Sequence, residues 1–194
     1  MKRILFFLLL FIVIGPFQAV AQQWELDTAH TNFYFEVKHT YVPARGQFIE
    51  FTGDVYFNPE NLAKNRFDFV INVKSVDTNI GKRDTHLRSP DFFDAGKYPL
   101  ITFKSSKVSY AGESKYIVEG ILTIKDVSRN LALEFMYYGQ KDNPVKQGQI
   151  VAGLDSRLTI DRLEYNVGDG KFYKMGIVDK DVNILIVLEL LRDK

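Results

Sequence analysis

The chain has 194 residues, 46% of them hydrophobic and 14% aromatic, with 25 basic and 24 acidic side chains and no cysteine. A chain of that length buries an adequate core as one domain without disulfides, and the lack of thiols excludes cysteine nucleophiles and thiolate metal centres. A net charge of +1 supplies no strong field for nucleic acid or an anionic membrane, so neither is expected as a partner.

Residues 1–21 have the layout of a secretory leader: Lys2 and Arg3, an apolar run over residues 4–17, and Ala19-Val20-Ala21 as cleavage site. The run is shorter than the ~20 residues that span a bilayer and contains Gly15-Pro16, so an integral membrane protein is not expected. Cleavage after Ala21 leaves residues 22–194 as a single domain, periplasmic or secreted. It removes two basic residues and no acidic one, turning +1 into −1.

Beyond the leader the chain alternates apolar and polar residues, as half-buried strands do. Residues 26–39 place Phe33, Phe35 and Val37 on one face. Residues 43–46 read as a turn. Residues 47–57 carry Phe51, Val55 and Phe57 in phase, while Phe48 breaks that phase and suggests a bulge. Residues 66–75 point Phe67, Phe69, Ile71 and Val73 inward. After an interruption, Ile101 and Phe103 begin another strand, followed by rows at Val118, Leu122 and Ile124, at Leu131, Leu133, Phe135 and Tyr137, and at Leu154, Leu158 and Ile160. Residues 162–177 are irregular. Residues 182–190 are continuously apolar, which suggests cover on both faces.

The interruption, residues 75–103, is the least strand-like part. It sets Arg83, Asp84, His86, Arg88, Asp91 and Asp94 among Leu87, Phe92, Phe93 and Tyr98, with Pro90 and Pro99 as punctuation. A short helix is expected near residues 83–87, then an aromatic turn, then strand re-entry at Leu100. Long excursions of this kind serve as functional loops or lids.

The pattern predicts an all-β fold, an extended antiparallel barrel of eight strands with that one short helix. An eight-stranded barrel is just wide enough to be filled by side chains or to hold one small ligand. Gly53 and Gly120, among inward residues, suggest room inside. Periodicity leaves both readings open: a hollow carrier of an elongated apolar guest, or a filled-core interaction module. His30 and His39 lie nine apart and face opposite sides of a continuous strand, and no tight His pair occurs, so no metal site is expected. No nucleophile elbow, phosphate loop or dinucleotide fingerprint is present. No catalytic residues are assigned and an enzyme is not expected, an activity on a luminal lipid being the lesser alternative.

Ordered motifs run through the chain: Leu26-Asp27-x-x-His30, Gly46-x-Phe48, Ser75-Val76-Asp77-Thr78, Arg83-Asp84-x-His86-Leu87, Ser89-x-Asp91-Phe92-Phe93-Asp94, Tyr98-Pro99-x-Ile101-Thr102-Phe103, Gly120-x-Leu122-Thr123-Ile124 and Ile160-Asp161-Arg162. With them the chain resembles the YceI-like polyisoprenoid-binding proteins from about Trp24 to Leu191. It departs at Asp126, where the family usually has glycine, and at residues 163–168, where an aromatic-glycine pair is usual.

The resemblance implies a lipocalin-like barrel in the periplasm that holds an isoprenoid or similar long-chain amphiphile, with links to transport, storage or stress protection. A bound isoprenoid lipid is then the one non-protein component expected, with no further cofactor. Phe33, Phe35, Phe51, Phe69, Ile71, Phe103, Leu122, Phe135 and Leu158 are the expected luminal contacts, joined by Phe92 and Phe93. A head group needs a few placed polar groups at one end. The candidates are His30, Arg83, His86 and Arg88, with Tyr98 or Ser105 as neutral partners, suiting a polyprenyl phosphate through bidentate arginines or an isoprenoid quinone through single donors. The alternative for the Arg83-Asp84 and Arg88-Asp91 charges is local ion pairing that pins the excursion. The sequence leaves oligomeric state open, a homodimer included.

Overall fold

Alternating rows of Phe, Val, Ile and Leu bury one face of each strand, and a sheet that curls until its edges meet buries them all at once. The computed structural model describes residues 22–194; the leader assignment falls on residues outside that range. Eleven antiparallel strands form one sheet: β1 Gln23–Leu26, β2 Asn32–His39, β3 Val42–Phe48, β4 Phe51–Tyr56, β5 Arg66–Asn72, β6 Val76–Asp77, β7 Leu100–Gly112, β8 Lys115–Ile124, β9 Val127–Asp142, β10 Gln149–Asp161 and β11 Val178–Asp193. Their order is β1-β4-β5-β7-β8-β9-β10-β11-β2-β3-β6, and β1 also pairs with β11 and closes the ring. Taken as β1 with β2, β3 with β4, and β5 with β6, these are the eight staves of a closed barrel.

The three divided staves break side by side. The first turns a corner over residues 27–31, where the amides of Asp27 and Thr31 bond to Glu189 O and Asp27 O. The second breaks at Ile49-Glu50, and the third is a 3-10 turn, Val73–Ser75. Ser75 joins the last two, its carbonyl accepting from Ile49 N–H at 3.3 Å and its hydroxyl from Glu50 N–H at 3.0 Å.

The expected bulge at Phe48 is therefore a full break. β3 pairs with β2 and β6, β4 with β1 and β5. Residues 43–46 are not a turn but lie inside β3; the chain reverses one step earlier, at Thr40, in the left-handed region with φ 55°. In β11 the inward Ile186, Leu188 and Leu190 are buried while Leu185 and Val187 on the other face are half-buried.

Gly53 and Gly120 leave no room in the bore. A Cβ on Gly120 would stand 2.5 Å from Lys104 O and 2.6 Å from Phe103 Cζ, and one on Gly53 would stand 2.9 Å from Phe69 Cδ1. Each glycine is a flat spot onto which a neighbouring ring packs.

The excursion forms α1, Gly81–Arg88, a helix polar all round except for Leu87. Eight residues of this kind do not hold a helix in water alone. Tethers hold this one: Arg83 donates to Thr78 Oγ1 at 2.7 Å and to Thr78 O at 2.8 Å, buried Asp84 accepts from Thr78 N–H, and Arg88 donates to Lys74 O and Val76 O at 2.8 and 2.7 Å. A second helix, α2, Lys171–Lys174, lies in the irregular segment before β11.

Because the nearest obstacle at Gly120 is the backbone oxygen of Lys104, Gly120→Val is expected to destabilise the fold by about 1–3 kcal/mol, read as a lower midpoint in urea unfolding. An unchanged midpoint would mean that β7 and β8 yield at this point.

Candidate functional site: a blind apolar bore

The interior of the barrel divides into two halves. In one, aromatic rings fill the bore. Phe57 packs edge-on against Tyr116 and Tyr137, each at 5.1 Å between centroids, and Phe67 stacks on Phe135 at 5.4 Å. Phe57, Phe67 and Phe135 are fully buried. Trp24 covers the outer end, its indole N–H donating to Phe57 O at 2.8 Å.

The other half holds a cavity of about 160 Å³, comparable with voids of ~150 Å³ that stay dry and admit a benzene-sized guest. Phe33, Phe35, Phe69, Ile71, Phe92, Phe93, Phe103, Leu122 and Leu158 line it, together with Leu87, Leu133, Ile186 and others, and every lining residue except Tyr34 and Arg162 is wholly apolar. Two luminal candidates lie elsewhere. Phe135 belongs to the aromatic plug, and Phe51 packs edge-on against the back of Phe33 at 5.0 Å. Both have the right parity, but neither lines the cavity: Phe135 is taken up in the plug, and Phe51, although it pairs with Ile71, lies behind Phe33.

A cap made of two chain segments closes the cavity. From the excursion come Leu87, Phe92 and Phe93; from residues 162–177 come Arg162 and Val167. Phe92 and Phe172 stack across the seam at 5.8 Å with planes 10° apart, and the His86 ring meets both edge-on at 5.0 and 5.8 Å. Lys125 ties the two segments, its ammonium donating to Phe92 O at 3.0 Å and to Asn166 O at 2.7 Å.

Arg162 is buried and donates to three carbonyls: Val167 O at 2.6 Å, Asp179 O at 2.8 Å and Val178 O at 3.3 Å. Burial lowers its pKa from the ordinary value, opposed by the charges of Asp161, Asp179 and Asp169. Gly168, at φ +91°, lets the chain wrap this guanidinium, since a Cβ there would collide with Arg162 Nη1. Strand phase carries the signal for Arg162, two residues beyond inward Ile160.

The structure does not bring the head-group candidates together at the cavity. Arg83 and Arg88 are spent on the carbonyl tethers of α1, so the expected local ion pairs are replaced by bonds to backbone and to Thr78. His86 Nε2 meets Asp91 Oδ2 at 3.0 Å on the outside of the cap. Tyr98 lies outside the cavity lining with its hydroxyl 3.2 Å from Asp126 Oδ2. Ser105 spans β5 and β7, its hydroxyl accepting from Phe67 N–H and donating to Asp68 Oδ1.

His30 is not in the same strand as His39; it sits on the corner before β2, beside the plugged half. Its Nδ1 is 2.8 Å from Asp27 Oδ2 and 3.6 Å from Glu189 Oε1. The three donor atoms lie within 4.8 Å of one another.

A family model for the YceI-like domain matches residues 24–190. The chain belongs to the YceI-like domain family. A UPF0312 protein of Vibrio campbellii is 39% identical over 148 residues, 74% of this chain and 78% of that protein. The crystal structure of Burkholderia cenocepacia BcnA superposes with a TM-score of 0.76 at 29% identity, covering 87% of this chain and 99% of that one. A polyisoprenoid binding domain from Saccharophagus degradans, implicated in plant cell wall breakdown, shares the fold with a TM-score of 0.64 at 18% identity, over 86% and 97% of the two chains. No helix among the described residues of this YceI-like chain is long and apolar enough to cross a membrane.

The His30 cluster has a definite pH signature. The hydrogen bond that His30 donates to the Asp27 carboxylate holds the His30 pKa above its ordinary 6.5, with the charges of Asp27 and Glu189 adding to the effect, and the same bond holds Asp27 below 3.8. A raised histidine pKa contributes stability that is fully present below the unfolded value and is lost as pH rises through the folded one. The stability gap between wild type and His30→Gln is therefore expected to be widest below pH 6.5 and to close as pH rises through the raised folded value, with the His30 ring titrating above 6.5 by NMR and returning toward it in Asp27→Asn.

Proposed function

We propose that this is an exported, periplasmic carrier or store of a long-chain isoprenoid-type amphiphile, such as an isoprenoid quinone or a polyprenyl phosphate, held in the barrel. One observation carries the reading: an apolar, blind cavity inside a barrel whose other half is packed solid. A prenyl chain leaving water gains about 25 cal/mol per Å² of apolar area buried, close to 0.8 kcal/mol per methylene. The cavity takes the leading part of such a guest. The remainder passes through the seam of the cap, whose halves meet through the Phe92–Phe172 stack and the Lys125 tie. The description of one structural neighbour as a polyisoprenoid binding domain supports the same class of guest.

Binding is favoured over catalysis by the lining. Among the described residues it contains no carboxylate, histidine, serine or threonine, and its polar side chains are Tyr34 and Arg162 alone, so the lining offers no nucleophile paired with a base. A stress-protective role follows the family resemblance, and the chemistry of the site neither adds to it nor needs it.

Organic extraction of the protein purified from a periplasmic fraction is expected to release one apolar molecule per chain by mass spectrometry. Leu158→Trp, which fills the cavity without burying a charge, is expected to weaken prenyl-lipid binding by roughly tenfold or more while the protein stays folded. Phe135→Leu, in the plug, is expected to cost about 1–3 kcal/mol of stability and to leave guest capacity intact. Empty extracts, together with no thermal stabilisation by prenyl lipids, would leave the filled-core interaction module as the better account.

A further inference from the structure

The polar groups expected to receive a head group are all engaged away from the cavity, which raises the question of where an oxygen on the guest would bind. One side chain in the bore answers it. Ser156 is 1% exposed, and its Oγ has no hydrogen-bond partner among the described residues. It lies in the apolar inward row of β10, with Leu154 on one side and Leu158 on the other. Across the sheet it pairs with Ile186 of β11 and Phe135 of β9, and Ile186 in turn pairs with Phe33 of β2. Leu158, Ile186 and Phe33 line the cavity, whereas Phe135 belongs to the plug. Ser156 does not itself line the cavity; it stands one layer beneath Leu158, Ile186 and Phe33, where hollow half meets solid half. The other unpartnered buried donor, Arg192 Nε, sits far from this floor, with its guanidinium carbon 5.0 Å from the centre of the Trp24 ring.

A serine hydroxyl has one donor and two acceptor sites and a free rotor. Buried groups of this kind are nearly always bonded, so one left unbonded in an apolar row calls for a partner. We infer that Ser156 Oγ is the deep-end contact for an oxygen at the leading end of the guest, which enters polar end first. This rests on the carrier reading and narrows it. The oxygen is neutral, a hydroxyl or a carbonyl. The neighbours of Ser156 are apolar, and a phosphate there would lie unpaired in a medium that heavily penalises a lone charge. The one cation that lines the cavity, Arg162, is part of the cap and already serves three carbonyls.

The test uses three probes with one C15 chain, farnesol, β-farnesene and farnesyl phosphate, each displacing a dansyl-labelled prenyl reporter. Wild type is expected to prefer farnesol over β-farnesene by roughly five- to tenfold. Ser156→Ala is expected to erase that preference while leaving β-farnesene affinity and the melting temperature of the lipid-free protein unchanged or higher. A preference that survives in Ser156→Ala overturns the inference, as does farnesyl phosphate outcompeting farnesol, which would move recognition to Arg162. Wild type binding farnesol and β-farnesene equally defeats the Ser156 contact alone. Failure of all three to displace the reporter defeats the carrier reading and this inference with it.

Discussion

The rings of Phe57, Phe67, Phe135, Tyr116 and Tyr137 stop one end of the barrel, and the remaining features of the site follow from that plug. Edge-to-face and offset contacts of this kind add about 0.5–1.5 kcal/mol per pair beyond the area they bury. An apolar void weakens a protein in proportion to its volume, so a fold that keeps one needs a firm anchor elsewhere. Here anchor and void share the same eight staves, and three of those staves break side by side along the wall. The plug also turns a tube into a blind bore, giving the interior a floor and a single end for entry.

Charge in this molecule holds backbone more than it meets ligand. Arg83, Arg88, Lys125 and Arg162 each bond to backbone carbonyl oxygens of loops, turns or strand ends. Buried carbonyls need donors, and a guanidinium supplies several from one side chain. The cap is thus built from two irregular segments made rigid by cations, with aromatic rings meeting across the seam. Across that seam lie the Phe92–Phe172 stack, the His86–Phe172 contact and the Lys125 tie.

Much of the fold was legible in the sequence because strands written with period two announce their inward faces. The row containing Phe67, Phe69 and Ile71, the helix in the excursion and the re-entry at Leu100 all follow from local pattern, and the family motifs agree with them. The break after Phe48 was visible only as a fault in parity; its meaning, a change of partner strands, depends on pairings at a distance. The turn placed at residues 43–46 failed because Pro43 and Gly46 are tolerated in a short strand on the barrel rim, whereas Thr40 makes the turn through an unusual φ that composition does not signal.

For the site, parity separated inside from outside but not hollow from filled. Phe103 and Phe135 have the same alternation, yet one lines the cavity and the other is stacked in the plug, because height along a tilted barrel is set by register between strands far apart in sequence. The motif charges looked like ligand contacts since nothing local reveals that Arg88 reaches back to Lys74 and Val76. Ser156 was a polar residue in an apolar row, a signal present in the sequence that gained meaning once Ile186 and Phe135 were known to flank it. The sequence by itself determined that strands form, which faces turn inward and which family the chain belongs to, because these depend on neighbours two or four residues away. Only the tertiary structure decided where the bore is stopped, where it is empty and which buried hydroxyl is left without a partner, because these depend on packing between residues that meet only when the barrel closes.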